Sequence, residues 1–360
     1  MKITFVTPAD DLTGGIRVIA IYAKALLARG HAVEVVSNAP DRFTPRLQLR
    51  ALLHGTWRST RQAFKVRPGH IAYSGVPHRV LERPRAVVAS DVPDADVVIA
   101  TWWLTADWVA ALPPAKGIKV HFMQDYETFG GAKELVDATC RLPWPRITPS
   151  KWVKELLVSE FGCKDVALAP NAVDLNIFNA MPRGKRPVPT VGFTYTSFVN
   201  KGCDITIEAI RLARQKRPEL KVTCFGSTPP IPSLPLPLNT EFKLWIPDNM
   251  LKDQYAACDA WLFGTRKEGF GLPILEAMAC RTPVIGTPAG AAPELLSQGG
   301  GILVKPEDPA SMAHAILKVC DMKEDKWRAM SDKAYATVSN YTWDDATYIF
   351  EQALQRALAR

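Results

Sequence analysis

Lys267-Glu268-Gly269-Phe270-Gly271-Leu272-Pro273-Ile274-Leu275-Glu276-Ala277-Met278 is the stretch around which the rest of the chain is arranged. It reads as a strand end, a glycine-rich loop and the start of a helix, with a carboxylate on either side of the loop. Gly269 and Gly271 let a ligand come close to the backbone. Pro273 suits the first helical position, where its missing N–H would be unpaired in any case. The N–H groups of that first turn point out of the helix, and the dipole adds positive potential, so the site favours a phosphate. Glu268 and Glu276 flank it, so an anion must be held where the carboxylates can reach neutral hydroxyls instead. A phosphorylated ligand rich in hydroxyls, such as a nucleotide sugar, meets both demands.

Working outward, 360 residues are long for one domain and comfortable for two, and 47% hydrophobic content supports well-packed cores. The seven cysteines are scattered with no C-x-x-C pair, which suggests reduced, mostly buried residues of a cytosolic protein and neither a metal site nor a disulfide framework. The run from Met1 to Thr7 is too short for a signal peptide, and no stretch approaches the roughly 18 apolar residues of a spanning helix. A soluble protein, or one attached at most to a membrane surface, is expected. The formal charge of +8 suits an anionic substrate or an anionic lipid surface; no motif for nucleic acid accompanies it.

In the first half, residues 2–7 predict a strand, and Ile16, Ile19, Ala23, Leu26 and Leu27 fall at helical spacing after a tight Gly14-Gly15 turn. Gly30 ends that helix, and residues 31–36 form a second strand. This βαβ unit lacks the G-x-G-x-x-G dinucleotide fingerprint. Two readings of Gly14-Gly15 stand: they only shape the turn, or their backbone faces a diphosphate across a cleft. Residues 42–70 are strongly basic, with Arg42, Arg46, Arg50, Arg58, Arg61, Lys65 and Arg67 against Asp41. They form a solvated insertion or contact an anionic acceptor or a membrane surface.

Asp94-Ala95-Asp96 has the D-x-D spacing of metal-dependent sugar transferases, but it directly precedes the apolar strand 97–100 and is taken as the polar start of that strand. Trp102, Trp103 and Trp108 follow this strand, where indoles stack on a sugar or pack in the core. Residues 120–127 form another strand ending in Gln124, Asp125 and Glu127. Ligands of open α/β sheets bind beyond such carboxyl ends, which makes these three candidate site residues. His121 is read as a satisfied core histidine and Ser150 as an N-cap.

The segment 181–189, with three prolines and a glycine, is the best domain boundary, and β–α alternation restarts after it. Strands are predicted over 190–194, 220–225, 242–246, 260–263, 284–286 and 302–304. Lys201-Gly202 lies at a strand's carboxyl end, so Lys201 is either a phosphate partner or a surface lysine. Residues 229–237 form a proline-rich, extended loop.

The run Glu268-x7-Glu276, continued by Thr282-Pro283-Val284-Ile285-Gly286, resembles the signature of glycosyltransferase family 4. Gly14-Gly15, Ser150-Lys151-Trp152-Val153, Pro170-Asn171-Ala172-Val173-Asp174 and Lys201-Gly202 extend the likeness over nearly the whole chain. The resemblance implies an α/β protein of GT-B fold, with two Rossmann-like domains and a cleft between them. An acceptor-binding domain would span 1–178 and a nucleotide-sugar domain 179–343, with the last helix, 344–360, packing back on the first. It also implies a retaining, metal-independent enzyme without a cofactor, cytoplasmic or peripheral at the inner face of the cytoplasmic membrane. Its partners would be a nucleotide-sugar donor and a carbohydrate or lipid-linked acceptor.

Carried onto this chain, the resemblance gives Glu268, Lys201 and Asp125 catalytic roles. Glu268 would contact sugar hydroxyls and Glu276 the ribose. Gly269 and the Phe270-Gly271-Leu272 backbone would hold sugar and phosphate; Lys201, Gly14, Gly15 and Thr196 would face the diphosphate; Trp245 and Ile246 would meet the base. Gln124, Asp125, Glu127 and Trp103 would serve the acceptor. Two departures stand out. Tyr195 and Thr196 occupy the place where the family often has an arginine, with Arg266 as a candidate replacement. Gln124-Asp125 replaces a frequent histidine, and Met123-Gln124-Asp125-Tyr126-Glu127 resembles a subgroup with rhamnosyltransferase-like members. A phosphorylase or nucleotide-sugar epimerase on the same fold, and a non-catalytic nucleotide-sugar-binding subunit, are the alternatives.

Overall fold

The computed structural model describes residues 1–40 and 68–360. It divides into two compact units, Met1–Ala169 with Thr347–Arg360, and Pro170–Ala346. The basic segment 42–67 lies outside the described residues.

In the first unit, the strands are β1 (Lys2–Thr7), β2 (Ala32–Ser37), β3 (His78–Val80), β4 (Val97–Ala100), β5 (Ile118–Phe122), β6 (Arg146–Thr148) and β7 (Val166–Leu168). They form one parallel sheet in the order β3-β2-β1-β4-β5-β6-β7. All four residues of β4 are buried, as a strand covered on both faces requires. Helix Gly14–Ala28 crosses from β1 to β2, burying Ile16, Ile19, Ala23 and Leu26. It ends at Gly30 in a left-handed conformation, φ +87°. The helix begins at Gly14 itself, so the two glycines belong to its first turn rather than to a separate tight turn. The final helix, Trp343–Leu358, completes this unit: Phe350 is fully buried and stacks on Tyr22 at 4.4 Å, with Phe5 and Phe122 around it.

In the second unit, β8 (Thr190–Thr194), β9 (Lys221–Gly226), β10 (Thr240–Leu244), β11 (Ala260–Phe263), β12 (Val284–Gly286) and β13 (Gly301–Leu303) form a second parallel sheet. Its order is β10-β9-β8-β11-β12-β13. Trp261 on β11 packs edge-on against Tyr255 at 4.5 Å and stacks on Phe225.

The division between the units falls at Ala169/Pro170, ahead of the expected 178/179 and of the proline-rich segment. Val173 and Phe178 are buried in the second unit's core. The 181–189 segment is also bound into that unit. Asp259 accepts from Arg186 N at 2.8 Å and Thr190 N at 2.9 Å, and Lys185 Nζ donates to the Cys320 and Met322 carbonyls. A polar, proline-rich composition marks irregular backbone; here that backbone is an anchored strap.

Other expectations resolve locally. Asp96 accepts from Lys2 N at 2.6 Å and Asp94 pairs with Lys116 at 2.8 Å, so the D-x-D acids serve the amino-terminal ends of the central strands. Ser150 occupies the N-cap position of helix Lys151–Ser159, but its buried hydroxyl makes no capping bond. His121 is buried with neither ring nitrogen hydrogen-bonded among the described residues, which corrects the expectation of a satisfied histidine. Burial, and then the nearby Arg146 charge, push its pKa down to about 3, so it is neutral.

Candidate functional site in the second unit

In the second sheet, β8 has β9 on one side and β11 on the other, so successive connections leave in opposite directions between β8 and β11. Loops at such a switch point part, and a ligand crevice opens beyond the strands' carboxyl ends. The loop after β8 carries Lys201 and the loop after β11 carries Glu268. Lys201 Nζ lies 2.7 Å from Glu268 Oε2. Their side chains are 38% and 15% exposed, so this ion pair sits at the surface of the switch point and not in the core.

Backbone geometry explains why the two loops meet. Gly202 has φ +59°, and a Cβ added there would lie 1.9 Å from the Gly264 carbonyl oxygen. Only a residue without a side chain lets the two main chains touch. Arg266 N and Lys267 N both donate to the Asn200 carbonyl, at 2.8 and 3.2 Å. Beyond Glu268 the chain turns through Gly271, φ +100°, into helix Leu272–Ala279, with Pro273 in its first turn. Gly290 and Ala291 support the loop from below, the latter donating to the Phe270 carbonyl at 2.8 Å. Phe270 is buried, its side chain packed in the core of this unit.

Glu276 is almost wholly buried and accepts from Tyr255 Oη at 2.6 Å. Trp245 is half exposed, has φ +52° and donates its N–H to the Gly226 carbonyl at 2.8 Å, at the carboxyl end of β9 and β10. Ile246 beside it packs on the core. Thr196 Oγ1 accepts from Phe198 N at 3.2 Å. Tyr195, in the place of the family's frequent arginine, is buried, and its hydroxyl donates to the Leu234 carbonyl at 2.9 Å while accepting from Ile231 N at 3.0 Å. It holds the proline-rich loop and carries no charge towards the site.

Arg266, the candidate replacement for that arginine, meets two carboxylates and a carbonyl of its own unit. Its Nη1 donates to the Val199 carbonyl and to Asp204 Oδ1, both at 2.8 Å. Its Nη2 donates to Asp204 Oδ2 at 2.7 Å and Glu307 Oε2 at 3.1 Å, and Nε lies 2.6 Å from Glu307 Oε1. A guanidinium has five N–H donors; four of them make these hydrogen bonds, and the fifth, on Nε, lies against the Glu307 carboxylate. Asp204, opening helix Cys203–Lys216, and Glu307 were not singled out from the sequence. An acidic residue in a helix's first turn is a recognisable signal; Glu307, in the loop after β13, has none.

In the first unit, the switch lies between β1 and β4. Gln124 Nε2 donates to the Gly15 carbonyl at 3.1 Å, joining the loop after β5 to the helix after β1. A Cβ on Gly15 would meet Gln124 at 3.6 Å, an ordinary contact, so this fold does not itself demand glycine there. Asp125 is half-buried, and its Oδ1 accepts from Tyr126 N at 2.7 Å. Glu127 and Trp103 are joined to each other. Glu127 is buried and accepts from Trp103 N at 2.8 Å at the start of helix Trp103–Ala110. Burial holds its carboxyl well above the usual carboxylate range. The Trp103 ring is covered by Gly131, where a Cβ would come within 2.4 Å of it. Trp108 is buried in the core beneath.

Residues 188–322 match the family model described as glycosyl transferases group 1. This match takes in β8 to β13 and both loops that bring Lys201 and Glu268 together. The chain is 32% identical over 104 residues to O-antigen chain mannosyltransferase B of Escherichia coli, covering 29% of this chain and 26% of that protein. It is 26% identical over 255 residues to D-inositol 3-phosphate glycosyltransferase of Thermobispora bispora, covering 64% and 59%. The chain thus spans between 25% and 60% of the length of the first curated relatives it matches.

Among solved structures, sucrose-phosphate synthase from Thermosynechococcus elongatus superposes with a TM-score of 0.72 at 16% identity over 100% of both chains. Anabaena HepE in complex with UDP and glucose gives 0.71 at 19% identity over 99% of both. The fold is GT-B, two Rossmann-like α/β units with parallel sheets. No group of three or more His, Cys, Asp or Glu residues that could hold a metal ion occurs among the described residues, and no helix among them is long and apolar enough to cross a membrane.

Proposed function

We propose that this protein is a retaining glycosyltransferase that moves a hexosyl or deoxyhexosyl unit from a nucleotide diphosphate sugar to a glycan, lipid-linked or small-molecule acceptor, without a metal. The observation that carries the reading is the Lys201–Glu268 pair at the β8/β11 switch point, 2.7 Å apart beside the start of helix Leu272–Ala279. A cation and a helix N-terminus together suit a diphosphate, and the adjacent carboxylates suit the hydroxyls of sugar and ribose. The UDP and glucose bound by Anabaena HepE, and the sugar-transferring relatives, support the same donor class.

In the proposed reaction the bond between the sugar's anomeric carbon and the phosphate oxygen breaks, and its electron pair passes to the diphosphate. The acceptor hydroxyl oxygen bonds to the same carbon from the same face, and its proton goes to the leaving phosphate. Lys201 Nζ and the N–H groups at the Leu272 helix start stabilise the charge that develops on that phosphate. Glu268 orients sugar hydroxyls. Glu276, fixed by the Tyr255 hydroxyl, accepts from the ribose. In the first unit, Asp125 and Gln124 are the candidate acceptor-binding residues.

A thermal-shift screen against a panel of nucleotide sugars, deoxyhexosyl donors included, identifies the donor, because a ligand bound by the folded state raises apparent stability. With that donor, Lys201→Ala should lower turnover on the order of 10²-fold in a folded protein. Full transfer by that variant would overturn the assignment. Release of a sugar phosphate from sugar and phosphate alone, or conversion of the donor with no acceptor present, would replace it with phosphorolysis or epimerisation.

A further inference from the structure

The Lys201 side chain leaves a three-residue turn, Val199–Lys201, that holds itself together with few bonds of its own: Lys201 N donates to the Phe198 carbonyl at 2.9 Å and Gly202 N to Val199 at 3.1 Å. Most of what fixes this turn comes from outside it. The glutamate loop contributes two N–H groups to the Asn200 carbonyl, and the Arg266 side chain contributes a third donor to the Val199 carbonyl. That guanidinium is itself held in one orientation by two carboxylates from separate elements. Asp204 takes both Nη groups in a fork, and Glu307 accepts from Nη2 with its other oxygen 2.6 Å from Nε. A bidentate guanidinium–carboxylate contact fixes direction as well as distance.

The chain needs such a device. Tyr195 brings no positive charge, and the Lys201 ammonium sits on a flexible four-carbon stem whose rotamers scatter unless its base is fixed. A misplacement of about 1 Å in such a group costs on the order of 10²-fold in rate.

We propose that Arg266 is a positioning residue. Clasped by Asp204 and Glu307, it locks the Val199–Lys201 turn so that Lys201 Nζ is aimed at Glu268 and at the phosphate leaving the donor. The catalytic side of this rests on the reading of Lys201 given above. A direct phosphate contact by Arg266 is disfavoured because both Nη groups already donate to Val199, Asp204 and Glu307, and two carboxylates against one guanidinium leave that cluster with net negative charge.

Arg266→Lys keeps the charge and removes the fork. In that variant, amide hydrogen exchange at Lys201 and Gly202 should rise about tenfold or more, while exchange in β8 stays as in the parent protein. Unchanged exchange at those two amides overturns the proposal whatever the activity. Asp204→Asn, a milder change, should loosen the same two amides and serves if the Arg266 variant does not fold.

In transfer assays, Arg266→Lys should lower kcat on the order of tenfold with the donor KM little changed, and should cost nothing further when added to Lys201→Ala. Losses that multiply would mean that Arg266 acts on the phosphate itself and would overturn the positioning role. Should Lys201→Ala transfer at full rate, the phosphate role of Lys201 falls, while the exchange measurement still decides whether Arg266 holds the turn.

Discussion

Glu127 shows how little a residue's type says about its use. At a strand's carboxyl end it reads as a site carboxylate; in the fold it is buried, which raises its pKa, and it holds the start of helix Trp103–Ala110 through Trp103 N. Because its folded pKa is raised, the folded state keeps a proton that the unfolded state gives up. This contribution is fully present below the unfolded carboxylate pKa of about 4.3 and is lost as pH rises through the folded value. Glu127→Gln keeps an acceptor for Trp103 N without the ionisable proton. It should therefore flatten that loss of stability in denaturant midpoints followed with rising pH. Glu127→Ala leaves a buried N–H unpaired and should cost about 1–3 kcal/mol. The placing of Lys201 and Glu268 at the carboxyl ends of strands was legible from the β–α alternation, where topology opens crevices. The burial of Glu127 and the carboxylate partners of Arg266 were not, because the sequence does not display packing or long-range partners.

At the scale of elements, the strand–loop–helix alternation was legible almost throughout, since buried parallel strands read as apolar runs such as Val97–Ala100 and helices as 3.6-period faces. What escaped was contact between loops. Gly202 reads as one more turn glycine, yet its missing side chain lets the β8 and β11 loops touch. Gly202→Ala should destabilise by about 1–3 kcal/mol through left-handed strain, and by more through the clash with Gly264, as read from denaturant midpoints. The Asp204–Arg266 contact has its own pH signature. The guanidinium holds the Asp204 carboxyl below its usual range, so the stability it adds is present above about pH 4 and fades as pH falls through the folded value. Asp204→Asn should make acid unfolding correspondingly less steep.

At the scale of the molecule, two units were expected and two are found. The boundary moved because a proline-rich strap can be anchored as firmly as a helix, as Asp259 and the Lys185 ammonium show. The last helix joins the first unit through Phe350, wedged among Phe5, Tyr22 and Phe122, with Glu351 pairing with Arg29 at 3.1 Å and meeting His31 at 2.7 Å. Phe350→Ala empties a fully buried aromatic site and should lower stability by about 3–5 kcal/mol, measurable by chemical denaturation.

The docking of Phe350 also bears on how the protein is made. The second unit is one unbroken segment, complete as soon as its own residues leave the ribosome. The first unit is begun earlier but lacks the ring that fills its core until Phe350 is translated. At about 5–20 residues per second, making the whole intervening unit takes on the order of ten seconds or more. For that interval the older half of the nascent chain waits with an open aromatic socket, and chaperone protection is needed most there.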